Sequence, residues 1–214
     1  MLSFSTVMKT QLQNIVFDIG NVLVFFDHKI ACEKLSHFCN EKPLNIYRRM
    51  YNSKVMLDFE VGLIDETTLF LIISKDLNLK ISFQQFKLFF NEVFTLNQEM
   101  LSFLIENKMF FHYWIISNTN SFHFNYLKGQ FPDLIKHFSG FTLSYIEGCK
   151  KPETEIFKRF IKASGFKKTE CIFFDDLIVN VKGAQKAGLN ASQYLDQKQF
   201  LNTIKSFFKK PNST

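Results

Sequence analysis

The sequence predicts a doubly wound α/β fold, a parallel sheet with helices on both faces, interrupted by an all-helical insertion. Three observations lead there. Short apolar runs of the kind that fill buried parallel strands recur, at Asn14-Ile15-Val16-Phe17-Asp18-Ile19, His112-Tyr113-Trp114-Ile115-Ile116 and Cys171-Ile172-Phe173-Phe174. From about residue 97 onward such runs alternate with helix-like stretches, the rhythm of a doubly wound sheet. Between the first run and that alternation lies a long block with helical periodicity and no convincing strand.

In chain order, the first run stops at Gly20. The following block divides into four or five amphipathic stretches, drawn from Ile30–Cys39, Leu44–Tyr51, Lys54–Glu60, Glu66–Leu77 and Phe83–Phe94. An insertion here emerges where the first strand ends, and so sits over whatever that strand end does. The second run stops at Ser117-Asn118 and the third at Asp175-Asp176, with Phe141–Leu143 and Ala191–Tyr194 as weaker strands. Pro152 ahead of Glu153–Ser164, closed by Gly165, supplies the start and stop signals of a helix, and Gly188 closes Val179–Ala187 likewise. The expected division is an α/β core over 10–26 and 96–208, a helical cap over 27–95, and flexible tails at 1–9 and 209–214.

With 46% hydrophobic and 21% charged residues in 214, the chain has the make-up of a globular protein large enough for a core plus a subdomain, which excludes disordered and fibrous classes. Phenylalanine and lysine are both abundant, a compositional bias given no functional weight. The formal charge of +6 suits a protein that handles anions. The lysines are spread rather than gathered into a stripe or arm, so nucleic acid is not an expected partner. Cys32, Cys39, Cys149 and Cys171 form no C-x-x-C pair and have no histidine at metal-ligand spacing, as expected of reduced thiols. No run reaches the ~18 apolar residues of a membrane span. The N-terminus lacks a cationic region followed by a long apolar stretch and a cleavage site, so the expected location is the cytoplasm.

Three strand ends carry chemically capable residues: Asp18, Ser117 and the pair Asp175-Asp176. In a parallel sheet the carboxyl ends share one edge, where ligands bind, so these distant residues converge there. Lys151, in the loop Gly148-Cys149-Lys150-Lys151-Pro152, is a fourth member. Singly, each has a plain structural explanation as a cap, a turn residue or a solvated charge. Their joint occurrence, in order and each at a strand or loop end, points to a site.

Four ordered segments carry a resemblance: Phe17-Asp18-Ile19-Gly20-Asn21-Val22-Leu23, Ile116-Ser117-Asn118-Thr119-Asn120, Gly148-x-x-Lys151-Pro152-Glu153-x-x-Ile156-Phe157 and Phe173-Phe174-Asp175-Asp176-x-x-x-Asn180. They resemble the motifs of the haloacid dehalogenase superfamily, over roughly residues 14 to 194. Ser-Asn-Thr-Asn followed by His123, and Phe59-Glu60-x-Gly62, look like the bacterial α-glucose-1-phosphate phosphatases; the chain is also similar to the phosphatase domain attached to soluble epoxide hydrolase.

The resemblance implies a Rossmann-like core and a Mg²⁺-dependent phosphatase acting on a small phosphorylated metabolite such as a sugar phosphate. Asp18 would be the nucleophile that forms an aspartyl-phosphate. Asp18, Asp176 and the Gly20 carbonyl would bind Mg²⁺, supported by Asp175. Ser117 and nearby backbone N–H groups, at Asn118 among them, would hold the phosphoryl group, and Lys151, directly before proline, would offset charge on both the phosphate and Asp18. The departure is Gly20, where most phosphatases of the superfamily carry a second Asp that protonates the leaving group. The glucose-1-phosphate branch also has glycine there; Asp27, His28 and His123 are possible proton donors. Two other functions stay open: a metal-free dehalogenase on the same fold, and a phospho-ligand-binding protein without turnover.

Overall fold

The computed structural model describes residues 12–208. The first strand, β1 (Asn14–Phe17), runs through a turn into β2 (Val24–Phe26). Five helices follow, α1 (His28–Ser36), α2 (Pro43–Met50), α3 (Lys54–Glu60), α4 (Glu66–Leu77) and α5 (Phe83–Asn91), and then β3 (Phe94–Leu96). Next come α6 (Gln98–Asn107), β4 (His112–Ser117), α7 (Ser121–Gln130), α8 (Pro132–Ile135) and β5 (Gly140–Leu143). The rest comprises α9 (Ser144–Glu147), α10 (Thr154–Ser164), β6 (Cys171–Asp175), α11 (Ile178–Lys186), β7 (Asn190–Gln193) and α12 (Gln197–Ser206).

Five strands form one parallel sheet in the order β5-β4-β1-β6-β7. β1, buried along its whole length, is central because only there are both faces of an apolar strand covered. Alternation sorts the side chains. Ile15, Phe17, Tyr113, Ile115, Ile172 and Phe174 join one apolar cluster, while Val16, Trp114, Ile116 and Phe173 join the cluster on the other face. Each such buried side chain contributes about 1.5–3 kcal/mol.

The inserted helices pack around a third cluster, with Leu35, Met50, Phe59, Leu69 and Phe86 at its centre. Local signals set where they begin. Asp27, Ser53 and Asp65 cap α1, α3 and α4 through their side chains, Ser82 with Gln85 makes a capping box at α5, and Pro43 opens α2. Phe122 of α7 inserts into this cluster from the α/β side. The turn after α3 lies against α9: Gly62 has φ +72°, and a β-carbon on it would stand 2.1 Å from the Tyr145 carbonyl oxygen. That close approach explains the glycine in Phe59-Glu60-x-Gly62.

Two expectations need correction. The stretch Phe83–Phe94 is helical only to Asn91; Phe94 and Thr95 belong to β3, which pairs antiparallel with β2 (Val24↔Leu96, Phe26↔Phe94). The insertion therefore leaves and rejoins the sheet through a two-stranded ribbon that three-residue strands are too short to announce by periodicity. The first apolar run extends beyond the strand: β1 ends at Phe17, and the Ile19 carbonyl accepts the amides of Leu23 and Val24 at 2.9 and 3.0 Å, closing a turn. The expected tails lie outside the described residues. Among the described residues no helix is long and apolar enough to cross a membrane. All four cysteines are free, and Cys32, Cys149 and Cys171 are buried.

Candidate active site

The strand order places β1 between β4 and β6, so the chain winds outward on one side of β1 and then on the other. A ligand crevice forms at such a switch point, beyond the carboxyl ends of the strands. Register fixes what stands there. Phe17 pairs with Phe174 and the Asp18 amide still donates to the Phe174 carbonyl at 2.9 Å, so Asp18 and Asp175 leave the sheet side by side. One carboxylate oxygen from each of Asp18, Asp175 and Asp176 lies within 4.8 Å of the others.

Lys151 reaches this group from the loop before α10. Its ammonium lies 2.7 Å from Asp18 Oδ1 and donates to Asp175 Oδ2 at 2.6 Å. The side chain is 1% exposed and the ammonium also stands over the Phe173 ring. Burial alone would lower its pKa, but the two carboxylates beside it more than offset that and hold it above the ordinary lysine value. Lys150 points elsewhere, to Glu60 at 3.2 Å.

The other residues position this group. Both functions of the Asn118 amide go to the Lys151 backbone, its Oδ1 accepting from the Lys151 N–H at 2.8 Å and its Nδ2 donating to the Lys151 carbonyl at 2.9 Å. Its side chain therefore positions the lysine, leaving the backbone N–H for a ligand. Asp175 is fully buried and its acceptors are taken by Lys151, by Asn180 Nδ2 at 3.0 and 3.1 Å, and by the Leu177 amide. Asn180 belongs to the fourth motif but had no role assigned from sequence; five residues after Asp175, in the first turn of α11, it can reach back to the strand end.

Three carboxylates and one ammonium leave a formal charge of −2, largely out of water. Burial pushes the Asp18 pKa up to about 6 against the pull of Lys151, with Asp175 adding to the rise. Burial raises Asp176 as well, although Asn21 Nδ2 donates to its Oδ2 at 3.0 Å. Such a site calls for a divalent cation, and hard oxygen donors suit Mg²⁺. The donor set fits. The Gly20 carbonyl accepts no hydrogen bond from any described residue, and it stands beside the three clustered carboxylates. Asp18, Asp176 and Gly20 would hold the ion and Asp175 would stand behind them.

Beside this cluster, between sheet edge and inserted helices, is a cavity of about 150 Å³. Its sheet side is the backbone at Ile19 and Gly20 with Ser117 and Asn118; Phe26, His28, Tyr51 and Glu60 form much of the opposite wall. Ser117 Oγ makes only a 3.5 Å contact to the Asn118 carbonyl and so is available to a ligand. At the position where the resemblance implies a second Asp in most phosphatases, this chain packs Gly20 against an aromatic ring: a β-carbon on Gly20 would stand 2.7 Å from Phe26 Cε1. Of the three possible proton donors, Asp27 is occupied capping α1. His123 is held at both nitrogens, Nε2 on the Phe90 carbonyl at 3.2 Å and Nδ1 beside Asn120 Nδ2 at 3.3 Å. Since a carbonyl only accepts, Nε2 carries the proton. His28 remains.

The matching family model, haloacid dehalogenase-like hydrolase, covers residues 12–188, and the chain belongs to that family. The chain is 27% identical over 194 residues to a D-ribitol-5-phosphate phosphatase of Bacteroides thetaiotaomicron, covering 85% of this chain and 91% of that one. A solved HAD family enzyme from the same organism, in complex with magnesium and inorganic phosphate, superposes with a TM-score of 0.79 at 25% identity over 88% of this chain and 98% of the other. A HAD-like family hydrolase from Porphyromonas gingivalis superposes with a TM-score of 0.76 at 23% identity, over 94% of this chain and all of that one.

Proposed function

We propose that the chain is a Mg²⁺-dependent phosphatase that hydrolyses a small phosphorylated metabolite through an aspartyl-phosphate on Asp18. One observation carries this: a buried lysine bridges two of three clustered carboxylates and leaves a charge of −2 beside a free backbone carbonyl. That set suits a divalent ion and a phosphate, and it disfavours the dehalogenase reading, which uses no metal. The sugar-alcohol phosphate named for the 27% identical relative supports the substrate class.

Asp18 attacks phosphorus in line while the leaving oxygen departs away from it, and water then hydrolyses the acyl phosphate. Two anions must approach, so Lys151 neutralises charge on both, and Ser117 with the Asn118 amide donates to the phosphoryl oxygens. Asn118, by gripping the Lys151 backbone, keeps the ammonium on target. Mg²⁺, held by Asp18, Asp176 and the Gly20 carbonyl, would supply charge neutralisation. The division into a core of 10–26 and 96–208 with a cap of 27–95 belongs to the same proposal, as does a cytoplasmic location without nucleic-acid or membrane partners.

The test is hydrolysis of p-nitrophenyl phosphate and a panel of phosphorylated metabolites with and without Mg²⁺, with acid-quenched mass spectrometry of the Asp18 peptide. Metal-dependent turnover and a phosphate adduct are expected. Absence of both overturns the proposal in favour of a binding protein.

A further inference from the structure

The wall of the cavity away from the phosphate cluster is mostly apolar, built by Phe26, Tyr51, Met56 and Phe94. Besides the Tyr51 hydroxyl, itself buried without a hydrogen-bond partner, two polar groups from the inserted helices break it. His28 is fixed in a stack of rings: Tyr51 lies 4.0 Å away at 16°, Phe26 at 4.8 Å, and His123 at 5.7 Å and 15°. The two histidines differ in one respect. His123 satisfies both nitrogens, whereas His28 Nδ1 is buried without a partner and Nε2 makes no hydrogen bond to any described residue. Nδ1 is closed off from solvent, whereas Nε2 is not, so Nε2 is the nitrogen left for a ligand in the cavity.

Glu60 is the second group. Its backbone carbonyl lies 2.6 Å from Ser144 Oγ and its Oε2 3.2 Å from Lys150 Nζ, so core elements fix the carboxylate at the cavity rim. Oε1 receives no hydrogen bond from a described residue. The lining contains no lysine or arginine, and Glu60 is its one acidic side chain.

We infer that His28 and Glu60 read the leaving group, and that this group is a short polyhydroxylated carbon chain carrying no second anionic group; the inference rests on the phosphatase reading above. Hydroxyls donate to Glu60 Oε1, and exchange hydrogen bonds with the imidazole, while the aromatic wall covers the C–H faces of the chain. A second phosphate or a carboxylate on the leaving group would be desolvated beside Glu60 with no free cation to meet it, which repels that substrate class.

The experiment compares kcat/KM with Mg²⁺ for pentitol and hexose monophosphates, for fructose 1,6-bisphosphate and 3-phosphoglycerate, and for p-nitrophenyl phosphate as a hydroxyl-free reference. Wild type should favour the neutral polyhydroxylated leaving groups over the anionic ones by about ten-fold or more. One lost hydrogen bond corresponds to up to about ten-fold, so His28→Ala should lower the polyol-to-aryl ratio by that amount, with His28→Asn recovering part. Glu60→Gln should narrow the discrimination against anionic leaving groups. A preference for bisphosphates, or ratios unchanged within about two-fold in both variants, overturns the inference, because the cap wall would then only scaffold. Calorimetry of a pentitol phosphate binding to Asp18→Asn, with and without His28→Ala, decides the same question when turnover is absent. Binding that depends on His28 without turnover or adduct in wild type would sink the phosphatase reading and keep only the contact between His28 and the polyol moiety.

Discussion

Replacing Lys151 by methionine keeps most of the side-chain volume and removes only the charge. The ammonium stands 2.7 Å from Asp18 and 2.6 Å from Asp175, with side-chain exposures of 1%, 11% and 0% for Lys151, Asp18 and Asp175. Its loss leaves two buried carboxylates facing each other uncompensated, a situation that costs about 3–5 kcal/mol. At about 2–4 °C per kcal/mol for a chain of this size, the metal-free protein should lose roughly 6–20 °C in Tm. Turnover should fall by about 10²–10³-fold, the scale of a lost transition-state donor. Lys150→Met is the matched control. Its pair with Glu60 has exposures of 28% and 29%, so it contributes about 0–1 kcal/mol, and aryl-phosphate turnover should suffer far less. Differential scanning calorimetry in EDTA, together with p-nitrophenyl phosphate kinetics, measures both. Equal losses for the two lysines would refute the assignment and reduce the loop to a generally basic one.

Mg²⁺ added to EDTA-treated protein should raise Tm, by the equivalent of about 2.7 kcal/mol at a hundred times the dissociation constant, and Asp176→Asn should abolish that rise. An identical Tm with and without the ion would remove the metal site. Burial holds His123 at about 3, below its ordinary 6.5, so between those values the unfolded chain takes the proton and His123 makes stability rise with pH. Asp18, raised from 3.8 to about 6, acts in the opposite sense over its own window. Urea titrations across that range should therefore show His123→Gln losing positive slope relative to wild type, by up to about 1.4 kcal/mol per pH unit, and an unchanged slope would contradict a buried neutral imidazole.

Most of the sheet could be read from the sequence because its strands are apolar on both faces and end in residues that do not belong in strands. Asp18, Asp175 and Lys151 were visible as strand-end or loop-end groups, and register brings them together. What the sequence could not convey is which side chain takes which partner. Asn118 looks like a phosphate donor in the motif, yet its amide is spent on the Lys151 backbone. His28 and His123 looked equivalent, and only packing separates the histidine with both nitrogens bonded from the one with neither. The β2–β3 ribbon escaped notice because three residues carry no period, and because Phe94 is as acceptable on an apolar helix face as in a strand.

Gly20 offers no carboxyl to protonate a leaving group, and its surroundings decide what a substitution at that position must include. Strain is not the obstacle to Gly20→Asp, since the left-handed residue of the turn is Asn21, at φ 54°, and not Gly20. The obstacle is the Phe26 ring, whose Cε1 and Cδ1 would lie 2.7 and 3.3 Å from the new β-carbon. Forcing a side chain into such a space costs about 1–3 kcal/mol unless the neighbour yields. Phe26 is 36% exposed on a ribbon strand, so it can be trimmed without opening a core cavity. Gly20→Asp with Phe26→Ala thus supplies both the carboxyl and the room for it, and Phe26→Ala alone controls for the lost contact with His28. General acid catalysis is worth about 10²–10⁴-fold, so the double variant should gain on sugar and polyol phosphates and much less on aryl phosphates, which leave without a proton. Gly20→Asp alone should gain less than the double, because its carboxyl is deflected by the ring. Metal affinity, followed by the Mg²⁺-dependent Tm, shows whether the added charge has instead disturbed the ion. If the double variant keeps its fold and metal affinity and still gains nothing on polyol phosphates, protonation of the leaving group does not limit the wild-type rate. The cavity wall must then already supply the proton, and His28, the histidine whose nitrogens are both free of partners, becomes the first residue to substitute in the double variant's background.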